Sequence, residues 1–232
     1  VIGALARFPR YQGAGSSQVT PSRLDTAYDG MAQRVGEARL RYATGYHPSD
    51  ETPDPVLLAE AQQAAQGADV AVVFVGLPAA YETEGVDRDH MRLPPSHNAL
   101  VEAVAQVAHR VVVVLMNGAP VEMPWHGEVQ TILEAYLGGQ AGGSAVAQLL
   151  YGEVNPSGKL AETFPLRLED HPAHAFFPGG PQTVEYRESI YVGYRYYDAA
   201  QTEVLFPFGH GLSYTRFAYS DLRLSAAAIQ DA

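Results

Sequence analysis

Cysteine is absent from the 232 residues, so the chain has no disulfide, no thiolate nucleophile and no thiolate metal ligand. This absence does not assign a cellular compartment. Basic residues are few: 15 lysines and arginines stand against 26 acidic residues, a formal charge of −11, and they form no run. Because nucleic-acid backbones and anionic membrane surfaces are bound by clustered positive charge, the sequence predicts neither nucleic acid nor membrane as a partner.

Long apolar runs are also missing. No stretch reaches the roughly 18–20 residues that a membrane-spanning helix needs, and no basic segment leads into an apolar signal core at the N-terminus. We therefore favour a cytoplasmic over a secreted protein. Residues 1–5 have the pattern of a strand already under way, so we expect a piece of a longer polypeptide, cut close to a domain boundary.

Hydrophobic residues make up 47% and charged residues 18%, as in a globular protein with a full core. The apolar runs at 69–76 and 111–116 are typical of strands covered on both faces. Strands alternate with helices, which predicts an α/β fold with a mostly parallel sheet. The predicted strands are 1–5, 38–42, 69–76, 111–116 and 129–137. Four helices are predicted: three begin at Thr20-Pro21, Asp54-Pro55 and Pro94-Pro95, and a short fourth helix covers 142–151.

From Asn155 onward the composition changes, and proline, glycine and aromatic residues dominate. This part predicts short strands and irregular loops packed on the sheet. Residues 206–214 are typical of a linker, and 217–224 of one strand of a further domain. We therefore assign residues 1–198 to an α/β sandwich domain and 199–232 to a linker and the start of the next domain.

The loops after Leu5, Gly76, Met116 and Leu137 are predicted to share one edge of the sheet, because crossovers between parallel strands are right-handed. Ligands of open α/β sheets bind at that edge, outside the carboxyl ends of the strands. The loop at 81–88, which follows the most hydrophobic strand, is the first candidate for chemistry. Solvated surface carboxylates are the alternative interpretation.

Glu82 and Glu84 in this loop are two residues apart. Glycoside hydrolysis needs two carboxyl groups that face each other across a bond, whereas side chains at i and i+2 of an extended loop point to opposite sides. We therefore expect at most one of them to act, and the other to be a surface or salt-bridge residue. Gly85 lets the chain turn tightly after Glu84. Arg88 either pairs with Asp87, holds the loop or contacts a ligand.

Other chemistries find little support. The glycine-rich turn at 13–17 has neither the dinucleotide nor the P-loop spacing, although its small residues would let backbone approach a ligand. Ser16 lacks a base and a nucleophile-elbow motif. The eight histidines are scattered, and none lies at i, i+4 with a carboxylate on a predicted helix, the arrangement of a zinc-binding helix. We therefore predict no metal site and no cofactor.

Many motifs, in one order along nearly the whole chain, resemble the second domain of family 3 glycoside hydrolases of β-glucosidase type. They lie at 82–94, 117–125, 134–143, 155–160, 185–188, 192–198 and 206–214.

The resemblance implies a three-part, retaining β-glucosidase: a TIM-type barrel carrying an aspartate nucleophile, an α/β sandwich, and a fibronectin-III-like domain. This chain then holds the sandwich and the first strand of the last domain, and is inactive without the barrel. The family's general acid/base is the glutamate before glycine, which matches Glu84. The family's Gly-Ser turn near the sugar resembles Gly15-Ser16-Ser17, so Ser16 and Ser17 are candidate substrate contacts, together with Asp87 and Arg88 of the acidic loop.

Three alternatives remain. One is a non-catalytic, flavodoxin-like module with the same fold that binds a ligand or a partner domain. A second is a nucleotide-binding α/β protein. The third is a structural relative in which Glu84 faces solvent. The sequence does not name the glycoside, because the implied specificity lies mostly in the barrel.

Overall fold

A parallel sheet forms the centre of the protein in the computed structural model, which describes residues 1–226. Its strands are β1 (Ala71–Gly76), β2 (Val111–Met116) and β3 (Thr131–Glu134), in that order. β1 and β2 pair in continuous register, from Ala71 opposite Val111 to Gly76 opposite Met116. The two apolar runs are thus adjacent parallel strands, as the sequence predicted.

Two single-residue bridges extend this sheet. Ile2 bridges Val73 of β1 on one side and Ala43 on the other, both in parallel. The spatial order is therefore Ala43, Ile2, β1, β2, β3, which is 2-1-3-4-5 in chain order. This is the doubly wound, flavodoxin-like order, in which the direction of winding reverses between the first segment and β1.

The predicted strands at 1–5 and 38–42 are wrong in extent. Gly3 has φ 107°, and the chain then enters a 3₁₀ turn, Ala4–Ala6. This positive φ is not a strand conformation, so the strand ends here. A Cβ at Gly3 would lie 2.2 Å from the carbonyl oxygen of Phe74, so only glycine fits this turn. The second segment forms a 3₁₀ turn, Glu37–Arg39, and pairs only afterwards.

Helices cover both faces of the sheet, as predicted. On one face lie α1 (Ala27–Val35) and α4 (Gly142–Leu150); on the other lie α2 (Pro55–Ala65) and α3 (Pro95–Ala105). Alternate strand residues face opposite sides. The first face buries Val72, Phe74, Val114 and Met116, and the second buries Val73, Val75, Val113 and Leu115. Each such fully buried side chain stabilises the fold by roughly 1.5–3 kcal/mol.

A helix begins where the sequence predicts when a local capping residue sets its first turn. Asp54 caps α2 by accepting from the backbone N–H of Val56 at 2.8 Å, as the Asp-Pro pair predicted. The predicted start of α1 at Thr20-Pro21 is wrong: α1 begins after Thr26, which accepts from the N–H of Asp29. The N–H of Asp25 instead donates to the carbonyl of Gln140, so a tertiary contact holds the preceding segment extended.

The remaining boundaries differ little from the prediction, except in β3. That strand is shorter than the predicted 129–137 because the backbone turns at Tyr136, which has φ 48°. None of the helices in residues 1–226 combines the length and apolar character that crossing a membrane requires.

The part after residue 155 contains short elements, as expected. β4 (Phe164–Pro165) and β5 (Val204–Phe206) pair antiparallel, and Phe164 packs into the core. The helix α5 (Tyr194–Ala200) in the tyrosine-rich segment was not predicted. Residues 217–224 form no strand, because no neighbouring strand among residues 1–226 pairs with them. The fibronectin-III-like assignment of 199–232 stays a prediction, and its last six residues lie outside the described ones.

Candidate active site

The candidate site lies where the order of the sheet reverses. The loop after Ile2, residues 7–20, and the loop after β1, residues 77–92, leave neighbouring strands at the switch point, where ligands of doubly wound sheets bind. The loops after β2 and β3 reach the same edge. The N–H of Gly118, after β2, donates to the carboxylate of Glu82, and the N–H of Gly139, after β3, donates to the carbonyl of Tyr11. The predicted convergence of loops is confirmed.

Glu84 and Ser16 meet across this edge. The Oε2 of Glu84 accepts from the backbone N–H and from the hydroxyl of Ser16, each at 2.7 Å. Gly15 makes the approach possible: it has φ +94°, and a Cβ at this position would lie 2.6 Å from both Cβ and Oε2 of Glu84. The carboxyl group is exposed and joins two loops that are 68 residues apart in sequence.

The electrostatic setting of Glu84 favours its ionised form. The backbone N–H of Ser16, followed by the Ser16 hydroxyl, lowers the pKa of the Glu84 carboxyl below its ordinary value, because both donors stabilise the carboxylate. In this chain alone the group is therefore a hydrogen-bonded carboxylate.

Glu82 has a different environment. Its carboxylate forms an ion pair with Arg10, lies 3.9 Å from the guanidinium of Arg88, and accepts from the N–H of Gly118 at 2.9 Å. The side chain is only 14% exposed. The expectation that the two glutamates diverge is confirmed: Glu84 faces the surface with Ser16, and Glu82 is a salt-bridge residue.

Arg88 does not pair with Asp87. It donates to the carbonyl of Pro120 at 3.2 Å and contacts Glu82, and burial lowers the pKa of its guanidinium. Asp87 is exposed and forms no ion pair among the described residues. Ser17 is also exposed, and its hydroxyl makes no hydrogen bond within residues 1–226. Of the four predicted substrate contacts, the structure brings only Ser16 against Glu84.

A buried carboxyl beside the site was missed in the sequence. Glu134, the last residue of β3, accepts from the N–H of Tyr136 at 3.0 Å and from the side-chain amide of Asn117 at 3.2 Å. Burial raises the pKa of Glu134 to about 8. The Tyr136 hydroxyl donates to Glu162 at 3.3 Å, and burial also raises the pKa of that carboxyl. The available signal in the sequence was the position of Glu134 itself, a charged residue directly after Ile132 and Leu133 in β3.

A buried histidine on α3 contacts the end of β1. Nδ1 of His97, on α3, accepts from the N–H of Gly76 at 3.3 Å, and its ring packs against Tyr46 with 3.9 Å between ring centroids. Burial lowers the pKa of His97 to about 4, so the ring is a neutral acceptor. Within residues 1–226, no three histidine or acidic side chains cluster in a way that would hold a metal ion.

An α/β domain of this strand order, with a carboxylate loop at its switch point, belongs to the class of ligand-binding and catalytic domains that act at the carboxyl edge of a sheet. Residues 1–214 match the family model described as the glycosyl hydrolase family 3 C-terminal domain. The chain belongs to this family. The family predicted from the motifs is thereby confirmed, and the chain is a glycoside hydrolase-type domain.

Three relatives show the extent of the match. Thermostable β-glucosidase B of Acetivibrio thermocellus is 54% identical over 232 residues, which are 100% of this chain and 31% of that enzyme. The exo-α-(1→6)-L-arabinopyranosidase of Bifidobacterium longum is 45% identical over 94% of this chain and 28% of that enzyme. The crystal structure of a family 3 β-glucosidase of Bifidobacterium adolescentis has a TM-score of 0.86 at 45% identity, covering 92% of this chain and 31% of its own. The chain thus spans less than a third of each relative.

Proposed function

We propose that this domain supplies the general acid/base, Glu84, to a retaining β-glycosidase whose nucleophile lies on a barrel domain outside this chain. The observation that carries the proposal is an exposed carboxyl at the switch point, directly before Gly85 and held by Ser16. Membership of glycosyl hydrolase family 3 supports the reaction class. Glu82, largely buried and in contact with two arginines, is less able to reach a substrate.

The proposed reaction has two steps. In the first, the nucleophile attacks the anomeric carbon while Glu84 gives its proton to the leaving oxygen, so the glycosidic bond breaks and a glycosyl-enzyme forms. In the second, the Glu84 carboxylate takes a proton from water, whose oxygen attacks the anomeric carbon and releases the nucleophile. Two inversions give net retention, and Glu84 is again protonated.

The two roles need different electrostatics. A general acid needs a raised pKa, whereas Ser16 lowers the pKa of Glu84 in this chain. Docking of the barrel would withdraw the carboxyl from water and place the negative nucleophile beside it, and both effects raise a carboxyl pKa. Once the nucleophile is glycosylated, its charge is gone, and the two Ser16 donors favour the carboxylate that the second step needs.

The proposed substrates are terminal β-D-glucosides, as the names of the Acetivibrio and B. adolescentis relatives suggest. A second candidate is an α-L-arabinopyranoside, favoured by the 45% identity to the Bifidobacterium longum enzyme of that name. The two candidates are distinguished by the hydrolysis rates of the full-length enzyme on 4-nitrophenyl β-D-glucopyranoside and 4-nitrophenyl α-L-arabinopyranoside.

The test of the role uses Glu84→Gln in the full-length enzyme that carries this domain. We expect kcat/KM to fall by at least about 10²-fold on phenyl β-glucoside, whose leaving group needs the proton, and to change little on 2,4-dinitrophenyl β-glucoside. The control is Glu60→Gln, an exposed glutamate on α2, which should change neither. Equal loss on both substrates, or none, would contradict the role. A non-catalytic module predicts no effect.

A further inference from the structure

We propose that Glu82 is a positioning residue for the acid/base group: its ion pair with Arg10 sets the register between the loop that carries Glu84 and the loop that carries Ser16. This inference rests on the proposed function of Glu84.

The contacts of Glu82 join three loops of the site. Arg10 belongs to the loop after the first bridge segment, Arg88 lies on Glu82's own loop, and Gly118 follows β2. Arg10 also donates to the carbonyl of Leu77 at 3.0 Å and to the carbonyl of Glu82 at 3.2 Å, so it binds the loop backbone at two points. One carboxylate and one guanidinium therefore fix the loops against each other.

The register of these loops determines the geometry of Glu84. Glu82 precedes Glu84 by two residues and Arg10 precedes Ser16 by six, so the ion pair and the Glu84–Ser16 hydrogen bonds bridge the same two loops. Two extended residues span at most about 7 Å, which leaves little chain to absorb a shift at Glu82. A displacement of about 1 Å at a reacting group costs on the order of 10²-fold in rate.

The burial of this cluster makes its charge balance important. The side chains of Arg10, Glu82 and Arg88 are 8%, 14% and 16% exposed. Removing one member of a buried ion pair leaves a charge uncompensated, which costs more than the loss of the same contact at the surface. Glu82→Gln keeps the size and the acceptor for the N–H of Gly118 but leaves Arg10 and Arg88 without their shared carboxylate. The loops then separate or take up water.

A positioning role has a signature that general destabilisation lacks. If Glu82 acts through Glu84, its loss slows only the step that uses the proton, so the defect depends on the leaving group. Glu84 itself is still present in the variant, so its negative carboxylate still excludes an external anion. Added azide should then give no glycosyl azide, in contrast to an enzyme that lacks the Glu84 carboxylate.

The experiment compares Glu82→Gln, Glu84→Gln and the control Glu60→Gln in the full-length enzyme, each checked by its thermal unfolding midpoint. We expect Glu82→Gln to lower kcat/KM on phenyl β-glucoside by about 10–100-fold, and on 2,4-dinitrophenyl β-glucoside by less than about threefold. Arg10→Lys keeps the charge but loses the second guanidinium nitrogen, and it carries the same test, with the same expected selectivity, if Glu82→Gln does not fold.

Two failures are distinguishable. If Glu84→Gln is selective for the leaving group but Glu82→Gln and Arg10→Lys affect both substrates equally or not at all, the positioning role is wrong and the proposed function stands. If Glu84→Gln shows no selectivity either, the proposed function fails, and the positioning role fails with it.

Discussion

Glu84 and Ser16 are joined by two hydrogen bonds of 2.7 Å that end on the same carboxylate oxygen, one from the backbone N–H of Ser16 and one from its hydroxyl. The contact connects the two loops that leave the switch point of the sheet. It therefore controls both the position of the proposed acid/base and the protonation of its carboxyl. The predictions below follow from this contact and from the buried groups that surround it.

Replacing Ser16 by alanine should raise the pKa of Glu84. The hydroxyl is the second of the two donors that lower this pKa, and only the backbone N–H would remain. In the full-length enzyme the alkaline limb of the kcat/KM profile, which reports the proton on the general acid, should move to higher pH. Ser49→Ala removes an exposed hydroxyl elsewhere and should leave the profile unchanged. An unmoved limb in Ser16→Ala would contradict the assignment.

Gly15→Ala should separate Glu84 from Ser16. The added Cβ would lie 2.6 Å from the Glu84 side chain, on a backbone with φ +94°. We expect kcat/KM of the full-length enzyme on phenyl β-glucoside to fall by about 10²-fold, because the acid/base is displaced. The matched control is Gly13→Ala, whose Cβ would meet only the Ser17 hydroxyl at 3.8 Å. Similar activities of the two variants would show that the close approach is not needed.

Glu134 should make the chain less stable as pH rises. Its pKa is raised by burial from 4.5 to about 8, so the folded chain keeps a proton that the unfolded chain releases. The stabilisation is fully present below pH 4.5 and is lost as pH rises to 8, by roughly 5 kcal/mol at most. Glu134→Gln, which has no titratable carboxyl, should flatten this dependence in denaturant unfolding. Glu128→Gln, at an exposed position, should retain it.

His97 should make the chain less stable as pH falls. Burial lowers its pKa from 6.5 to about 4, so the unfolded chain takes up a proton that the folded chain refuses. Stability is complete above pH 6.5 and falls as pH drops toward 4, by about 3 kcal/mol. His97→Asn offers an acceptor to the N–H of Gly76 without a titratable ring, and should remove this acid-side loss in unfolding curves. His109→Asn, on the surface, should not.

The sheet was predictable because its signals are local and strong. The apolar runs of β1 and β2 are buried on both faces, and the Asp54-Pro55 pair decides where α2 begins. The start of α1 was not predictable from Thr20-Pro21, because the bond from Asp25 to Gln140 joins residues far apart in sequence and overrides the local capping signal.

The site was predictable only in part. The loop of Glu84 and the turn of Ser16 were placed at the same edge, and the divergence of Glu82 from Glu84 followed from their spacing. The ion pair of Arg10 with Glu82 spans 72 residues, and no local pattern announces it. Glu134 was missed because its partner Asn117 comes from the chain after β2, which no local sequence pattern places beside the end of β3.

The most direct test of the central claim is the product formed by Glu84→Ala in the full-length enzyme with 2,4-dinitrophenyl β-glucoside and azide. Without the carboxylate, azide can reach the glycosyl-enzyme and replace the water that Glu84 would activate. The account predicts faster turnover with azide and β-glucosyl azide as the product, with none formed by the wild-type enzyme. Turnover that azide does not change, with glucose as the sole product, would contradict it.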